Sequence, residues 1–256
     1  MATLYLIRHG QAGFGQDEYD VLSALGATQA QALGRHLVAA NRRVDLLFCA
    51  PRRRHRETGE ALRRGIADAK AAALPERTAP LGMTGGTDFQ VATHICPEFD
   101  EFPFGEILLS ACGPQGLLAQ EYAALLAELE GRNPLHDGRA FGRLFRRAMP
   151  LWIDGALSVS ETFAEFSRRV RHGLGTVAAA AQALGPGGSA AVITSAGAIA
   201  ATLQQVLGVT DDMMLRLCLA LYNTGVSELR VRGDEISLIT MNAVPHLLDP
   251  GERTFR

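Results

Sequence analysis

Apolar and polar positions alternate along this chain with two distinct periods. Residues 3–7 form a short unbroken apolar run, which predicts a buried strand. Residues 23–40 then switch to helical spacing, with Ala30, Leu33 and Leu37 on one face and Gln29, Gln31 and Arg35 turned elsewhere. A second apolar run at 44–49 is closed by Pro51, and a basic helix is predicted over 53–69. The rhythm returns later. Residues 160–184 read as a long helix with Glu161 near its positive end, stopped by the Gly-Pro-Gly-Gly turn at 185–188. Residues 190–194 give a third buried strand, and small residues from Ser195 open another helix. Residues 226–231 and 236–241 flank Arg232-Gly233-Asp234, a hairpin signal.

Strands alternating with helices predict an α/β fold, a mostly parallel sheet with helices on both faces that ends in an antiparallel hairpin. One domain over 1–256 accommodates the pattern. The segment 102–156 breaks the alternation. It holds a helix candidate at 117–129 and then a polar, Gly-containing stretch at 131–143. We expect a helical insertion, a cap, over the active edge of the sheet.

Composition narrows the function classes. The chain has 256 residues, 47% hydrophobic and 20% charged, with a formal net charge of -2. That balance gives no general attraction to nucleic acid or an anionic membrane. No apolar run is long enough to span a bilayer, and Arg8 and His9 interrupt the first one before it could serve as a signal peptide. Four cysteines without CxxC spacing read as reduced residues of a cytoplasmic protein. No ligand-like His/Asp/Glu cluster is evident, so neither a metal nor another cofactor is expected.

Candidate chemistry begins at Arg8-His9-Gly10, directly after the first strand, where ligands of open parallel sheets bind. A neutral imidazole attacks phosphorus when its other nitrogen is held by an acceptor, and Gly10 permits close backbone approach. After the second strand, residues 50–60 read Ala-Pro-Arg-Arg-Arg-His-Arg-Glu-Thr-Gly-Glu. The cluster is either a solvated helix face or an anion site; without interleaved aromatics a nucleic-acid patch is disfavoured.

These residues resemble the histidine phosphatase superfamily, whose pattern here is Ser-Pro-x-x-Arg-Ala-x-Gln-Thr-Ala-Glu. Arg54, Thr58 and Glu60 match it, while Ala50, His55, Glu57 and Gly59 replace Ser, Ala, Gln and Ala. Residues 22–37, 160–170, Asn223 and 241–247 are similar to further family segments, and Glu101 with Gly105 stand at the spacing of its Leu-Arg-Glu-x-x-x-Gly motif. The resemblance implies a three-layer α/β/α fold around a mainly parallel six-stranded sheet. It also implies a phosphomonoester-cleaving activity with His9 as nucleophile and Glu101 as proton donor. Asp100 and Glu98 are the fallbacks for that donor, and Arg8, Gly10 and Arg54 would be phosphate binders.

One departure stands out. Where the family carries Thr-His-Gly-Gly, this chain has Thr194-Ser195-Ala196-Gly197, so Ser195 replaces a second histidine. Its hydroxyl still offers a donor, and Ser195 joins the phosphate binders. Gln11 and His246 are further pocket candidates. His55 is expected to point away from Arg54, and His36 to be solvated. The partner implied is a small phosphorylated substrate or inorganic phosphate, and a homodimer is left open. Two rival readings remain: a non-catalytic phospholigand-binding protein, motivated by Ser195, and a phosphoglycerate mutase. Gln11, Ala12, Gly13 and Phe14 disagree with the mutase pattern. The aromatic residues Phe102, Phe104, Phe141, Phe145 and Trp152 either line a specificity pocket or fill the core.

Overall fold

A computed structural model describes residues 1–13, 20–73, 92–134 and 136–255. At its centre lies β1 (Ala2–Arg8), followed by α1 (Ala24–Ala39), β2 (Leu46–Cys49), α2 (Arg53–Ala73) and β3 (Thr93–Ile95). Three helices come next: α3 (Phe104–Cys112), α4 (Ala119–Glu128) and α5 (Gly138–Ile153). The chain returns through α6 (Phe163–Ala183), β4 (Ser189–Thr194), α7 (Ala196–Leu207) and α8 (Asp211–Ala220). It closes with β5 (Val226–Arg232) and β6 (Glu235–Ala243).

The six strands form one sheet in the order β3-β2-β4-β1-β5-β6. β3, β2, β4 and β1 are parallel, whereas β5 and β6 run antiparallel. Alternation along the central strands builds two cores. Leu4 and Leu6 of β1 and Ala190 and Val192 of β4 face α6 and α7. Tyr5, Ile7, Ala191 and Ile193 face the other way, against Leu33 and Leu37 of α1 and Leu62 and Ile66 of α2. Burial on both faces is why these strands read as unbroken apolar runs.

The departures from the sequence reading have local causes. β3 gives no apolar signal because it is a three-residue edge strand with all its residues exposed. α6 starts at Phe163, not at 160, because Thr162 caps it: its hydroxyl accepts from Glu165 N, and the Glu165 carboxylate accepts from Thr162 N. Glu165 thus occupies the N-terminal place assigned to Glu161. Gln29 is buried, not turned outward; its Oε1 accepts from Gln11 N at 2.9 Å.

The segment 102–156 contains three helices where one was expected. The stretch 131–143 concealed the start of α5, which Asp137 caps by accepting from Arg139 N and Ala140 N. Ala140, Leu144, Phe145, Ala148, Met149 and Trp152 share its buried face. These side chains join the same core as the α6–α7 face of the sheet. Phe102, Phe145 and Trp152 are therefore core residues, and Phe104 and Phe141 pack on each other at its margin. Arg143 and Arg147 pair with Glu128 and Glu121 on the surface of this segment.

Candidate active site

Each of the four parallel strands delivers polar side chains at its carboxyl end. β1 leads into Arg8-His9, β2 into the first turn of α2 with Arg54 and His55, β3 towards Glu101, and β4 into Ser195. β4 lies between β1 and β2, so the chain connections diverge here, the place where open α/β sheets bind ligands. α2 and α7 both begin at this edge, and their N-terminal ends favour an anion.

His9 is 3% exposed. Its Nδ1 lies 2.7 Å from the Gly10 carbonyl oxygen. A carbonyl only accepts, so Nδ1 carries the proton and the neutral ring keeps its lone pair on Nε2. Burial pushes the imidazole well below its ordinary value, and the cationic Arg54 and Arg8 and the nearby His55 add to the effect. Backbone contacts fix the residue on both sides. His9 N donates to Thr194 O at 2.9 Å, and Asn223 Nδ2 donates to His9 O at 3.1 Å.

Gly10 serves packing. A Cβ there would stand 2.5 Å from the Gly26 carbonyl oxygen, so only glycine lets this turn lie on the start of α1. Its N–H donates to Thr58 Oγ1 at 3.1 Å, an interaction that ties the His9 turn to α2.

Arg54 is 2% exposed. Its Nη2 donates to Ser195 Oγ at 3.2 Å, and its Nη1 pairs with Asp20 at 2.9 Å. Asp20, which no motif singles out, also accepts from Arg53 N at the head of α2. A carboxylate on the central arginine competes with any incoming phosphate. Asp20→Ala is expected to tighten inorganic phosphate binding about threefold to tenfold, an effect on the order of 1 kcal/mol, measured by calorimetry. Unchanged or weaker binding would instead make Asp20 a support for Arg54.

Burial raises the Glu101 carboxyl above its ordinary value, against the opposing pull of Arg54, Arg52 and Arg8. Its Oε1 accepts from Phe102 N and lies against the first turn of α7, where a Cβ on Gly197 would stand 2.2 Å away. The one glycine of the Ser-Ala-Gly turn, Gly197, thus admits the carboxyl. The fallbacks are engaged elsewhere: Asp100 with Arg52 at 2.7 Å, and Glu98 with His172 and Cys96. A cleft of about 290 Å³ opens beside Glu101, bounded by Pro51, Arg52, Asp100, Pro103 and Arg169.

Arg169 organises that side. Its Nε and Nη2 grip the Glu161 carboxylate at 2.7 and 2.8 Å. Its Nη1 donates to the carbonyls of Pro97, Glu98 and Asp100, at 3.0 to 3.1 Å. The turn that carries Glu101 is pinned through this one guanidinium.

His55 corrects the sequence reading. It does not point away from Arg54, because both side chains converge on Ser195 Oγ; His55 is fully buried, with Nε2 2.7 Å from that oxygen. Its ring centroid is 5.5 Å from that of His9. Positions 54 and 55 both turn inward because α2 is enclosed on two sides at its start, with Arg54, His55, Thr58 and Gly59 all buried. His246 is buried with Nε2 2.9 Å from Thr224 Oγ1, and its ring is 6.4 Å from that of His36, which is only half-exposed. Gln11 accepts from Ser23 Oγ at 2.9 Å, at the cap of α1.

The family profile of the histidine phosphatase superfamily (branch 1) matches residues 4–107 and 124–244. The chain belongs to this superfamily. The internal unmatched stretch, 108–123, covers most of α3, the turn after it and the start of α4, so this superfamily member departs from the family profile there and keeps it at the sheet edge. A phosphoserine phosphatase variant from Entamoeba histolytica, solved with phosphoserine, superposes with a TM-score of 0.58 at 17% identity, covering 97% of this chain and 100% of its own. A mycobacterial glucosyl-3-phosphoglycerate phosphatase with inorganic phosphate gives 0.57 at 17% identity, covering 96% and 99%. The α-ribazole phosphatase of Shigella flexneri gives 0.56 at 18%, covering 94% and 96%. A search of the curated proteins finds no match. Among the described residues no helix is long and apolar enough to cross a membrane, and no three His, Cys, Asp or Glu side chains converge as a metal site.

Proposed function

We propose that the chain hydrolyses a small phosphomonoester through a phosphohistidine on His9, without a cofactor. The observation that carries this reading is the His9 ring itself: buried among arginines, neutral, and held by the Gly10 carbonyl so that Nε2 is the nucleophilic nitrogen. Arg8 and Arg54 supply positive charge and donors for the phosphoryl oxygens, and Ser195 adds a hydroxyl. Nε2 attacks phosphorus as the P–O bond to the leaving group breaks, and Glu101 gives that oxygen a proton. The resulting carboxylate then takes a proton from water as the water oxygen attacks phosphorus. The N–P bond breaks, and the electron pair returns to Nε2.

The cleft beside Glu101 is where the leaving group fits, and its volume suits a small polar molecule. Its arginines already have carboxylate partners, Asp100 for Arg52 and Glu161 for Arg169. The binding-only reading rests on Ser195 in place of a second histidine; the mutase reading has no further support. The deciding experiment quenches the protein with p-nitrophenyl phosphate and looks for acid-labile phosphate on histidine. Labelling with steady release of nitrophenol is the expected result. Stabilisation by phosphate without label or turnover would establish the binding-only reading, and isomerisation of phosphoglycerate the mutase.

Arg169→Lys offers a check on the Glu101 side. An ammonium has three donors and no fork, so it cannot hold Glu161 and three carbonyls together. We expect kcat to fall about tenfold while KM changes little, since one misplaced proton donor slows chemistry more than binding. Equal changes in both would point to a general loss of structure.

A further inference from the structure

We propose that His55 is the second imidazole of the phosphate pocket, a positioning residue that turns the Ser195 hydroxyl towards the phosphoryl group. The proposal rests on the phosphatase reading for its chemistry and on the geometry around Ser195 for its substance. Ser195 Oγ has two close polar neighbours, Arg54 Nη2 at 3.2 Å and His55 Nε2 at 2.7 Å. A hydroxyl has one proton to donate and two lone pairs to accept with. Arginine only donates, so Arg54 occupies one lone pair. When His55 donates from Nε2, it occupies the other, and the hydroxyl proton has one direction left: out of this pair of donors, into the space the phosphoryl oxygens would fill.

The position of the ring is built, not incidental. His55 is fully buried at the head of α2, where a polar side chain needs a partner, and its partner is Ser195 on the facing helix start. Ser195 in turn makes no capping bond to the backbone of α7, so its oxygen is available to these two donors. Burial and the charges of Arg54 and Arg52 hold the His55 imidazole well below its ordinary value, against the opposing pull of the Ala50 carbonyl, so the ring is neutral and carries one proton. Its Nδ1 makes no hydrogen bond, so the proton belongs on Nε2, where Ser195 Oγ accepts it.

Two sequence departures coincide here. Where the superfamily pattern has alanine at 55 and histidine at 195, this chain has His55 and Ser195. The two positions touch across 2.7 Å, so the imidazole is supplied from α2 in place of α7. Ser195→His alone would force a second ring into the space His55 fills and is expected to damage the site.

The test compares wild type with His55→Leu, His55→Gln and the double exchange His55→Ala/Ser195→His. Leucine keeps buried volume without a donor, and glutamine restores an N–H at about the reach of Nε2. Two readouts are taken: the single-turnover rate of His9 phosphorylation by p-nitrophenyl phosphate, and the Kd of inorganic phosphate. His55→Leu should slow phosphorylation by roughly 10²–10³-fold, the usual effect of removing one preorganised donor. It should also weaken phosphate about tenfold. His55→Gln should recover most of both, and the double exchange at least about tenfold of the rate.

If wild type is labelled and His55→Leu stays within about threefold of it in both readouts, the His55 assignment fails alone. Equal losses in the leucine and glutamine variants, with unchanged thermal stability, also overturn it. If wild type binds phosphate without labelling, the phosphatase reading fails and the Kd series still decides His55. Absence of both label and binding in wild type overturns both.

Discussion

His9→Ala should abolish acid-labile phosphate on the protein and lower kcat by on the order of 10⁴-fold or more. The expectation follows from the ring's place in the sheet. His9 sits at the end of the central strand β1, its N–H bonded to Thr194 and its carbonyl to Asn223, so no neighbouring nucleophile can take its position without moving backbone. His55, the nearest other imidazole, has its Nε2 engaged with Ser195. Phosphate affinity should survive, within about tenfold, because the charges that attract the anion belong to Arg8 and Arg54. Intact-mass measurement after acid-free quenching, paired with calorimetry, separates the two effects. A variant that still labels would remove His9 from the nucleophile role, whatever its turnover.

Glu101→Gln is the second large effect, and it should depend on the leaving group. An alkyl phosphate departs as an alkoxide that needs a proton, and removing the donor is expected to cost roughly 10²–10⁴-fold. A nitrophenolate leaves without help, so phosphorylation by p-nitrophenyl phosphate should be nearly intact. The amide cannot take a proton from water, so the phosphohistidine should then accumulate, visible as a burst of nitrophenol followed by slow release. Equal loss on both substrates with no burst would assign Glu101 a structural role.

The two shifts set the sign of the pH dependence. The proposed mechanism requires His9 neutral and Glu101 protonated. With ordinary values of 6.5 and 4.5, little of either group would be in the right form between them. Burial lowers the first and raises the second, so a larger share of molecules holds both groups in the required form. Activity should fall at low pH as His9 gains its proton and at high pH as Glu101 loses its own. Glu101→Gln should remove the alkaline limb and keep the acid one.

Much of this protein was legible in its amino-acid order. β1, β2 and β4 announced themselves because both faces of each are covered, so that nearly every side chain is apolar. The positions of Arg8, His9 and Arg54 at strand ends followed from the same pattern, since chemistry in a parallel sheet gathers where strands finish. Glu101 was placed by the spacing of a motif. Edge strand β3 escaped because an exposed three-residue strand carries no burial signal. Helix α5 escaped because its arginines and glycines hid a well-formed apolar face. What the tertiary structure alone decided is the company kept at the site. Helical geometry sets adjacent residues about 100° apart. From sequence, Arg54 and His55 therefore could not both be assigned to the pocket. Enclosure of the α2 start turns both inward, and only then do His55 and Ser195, 140 residues apart, become neighbours. The same holds for Asp20 on Arg54 and for Arg169 behind Glu101. Local sequence dictates which way a strand or helix faces, but which distant side chains meet there depends on how the elements pack.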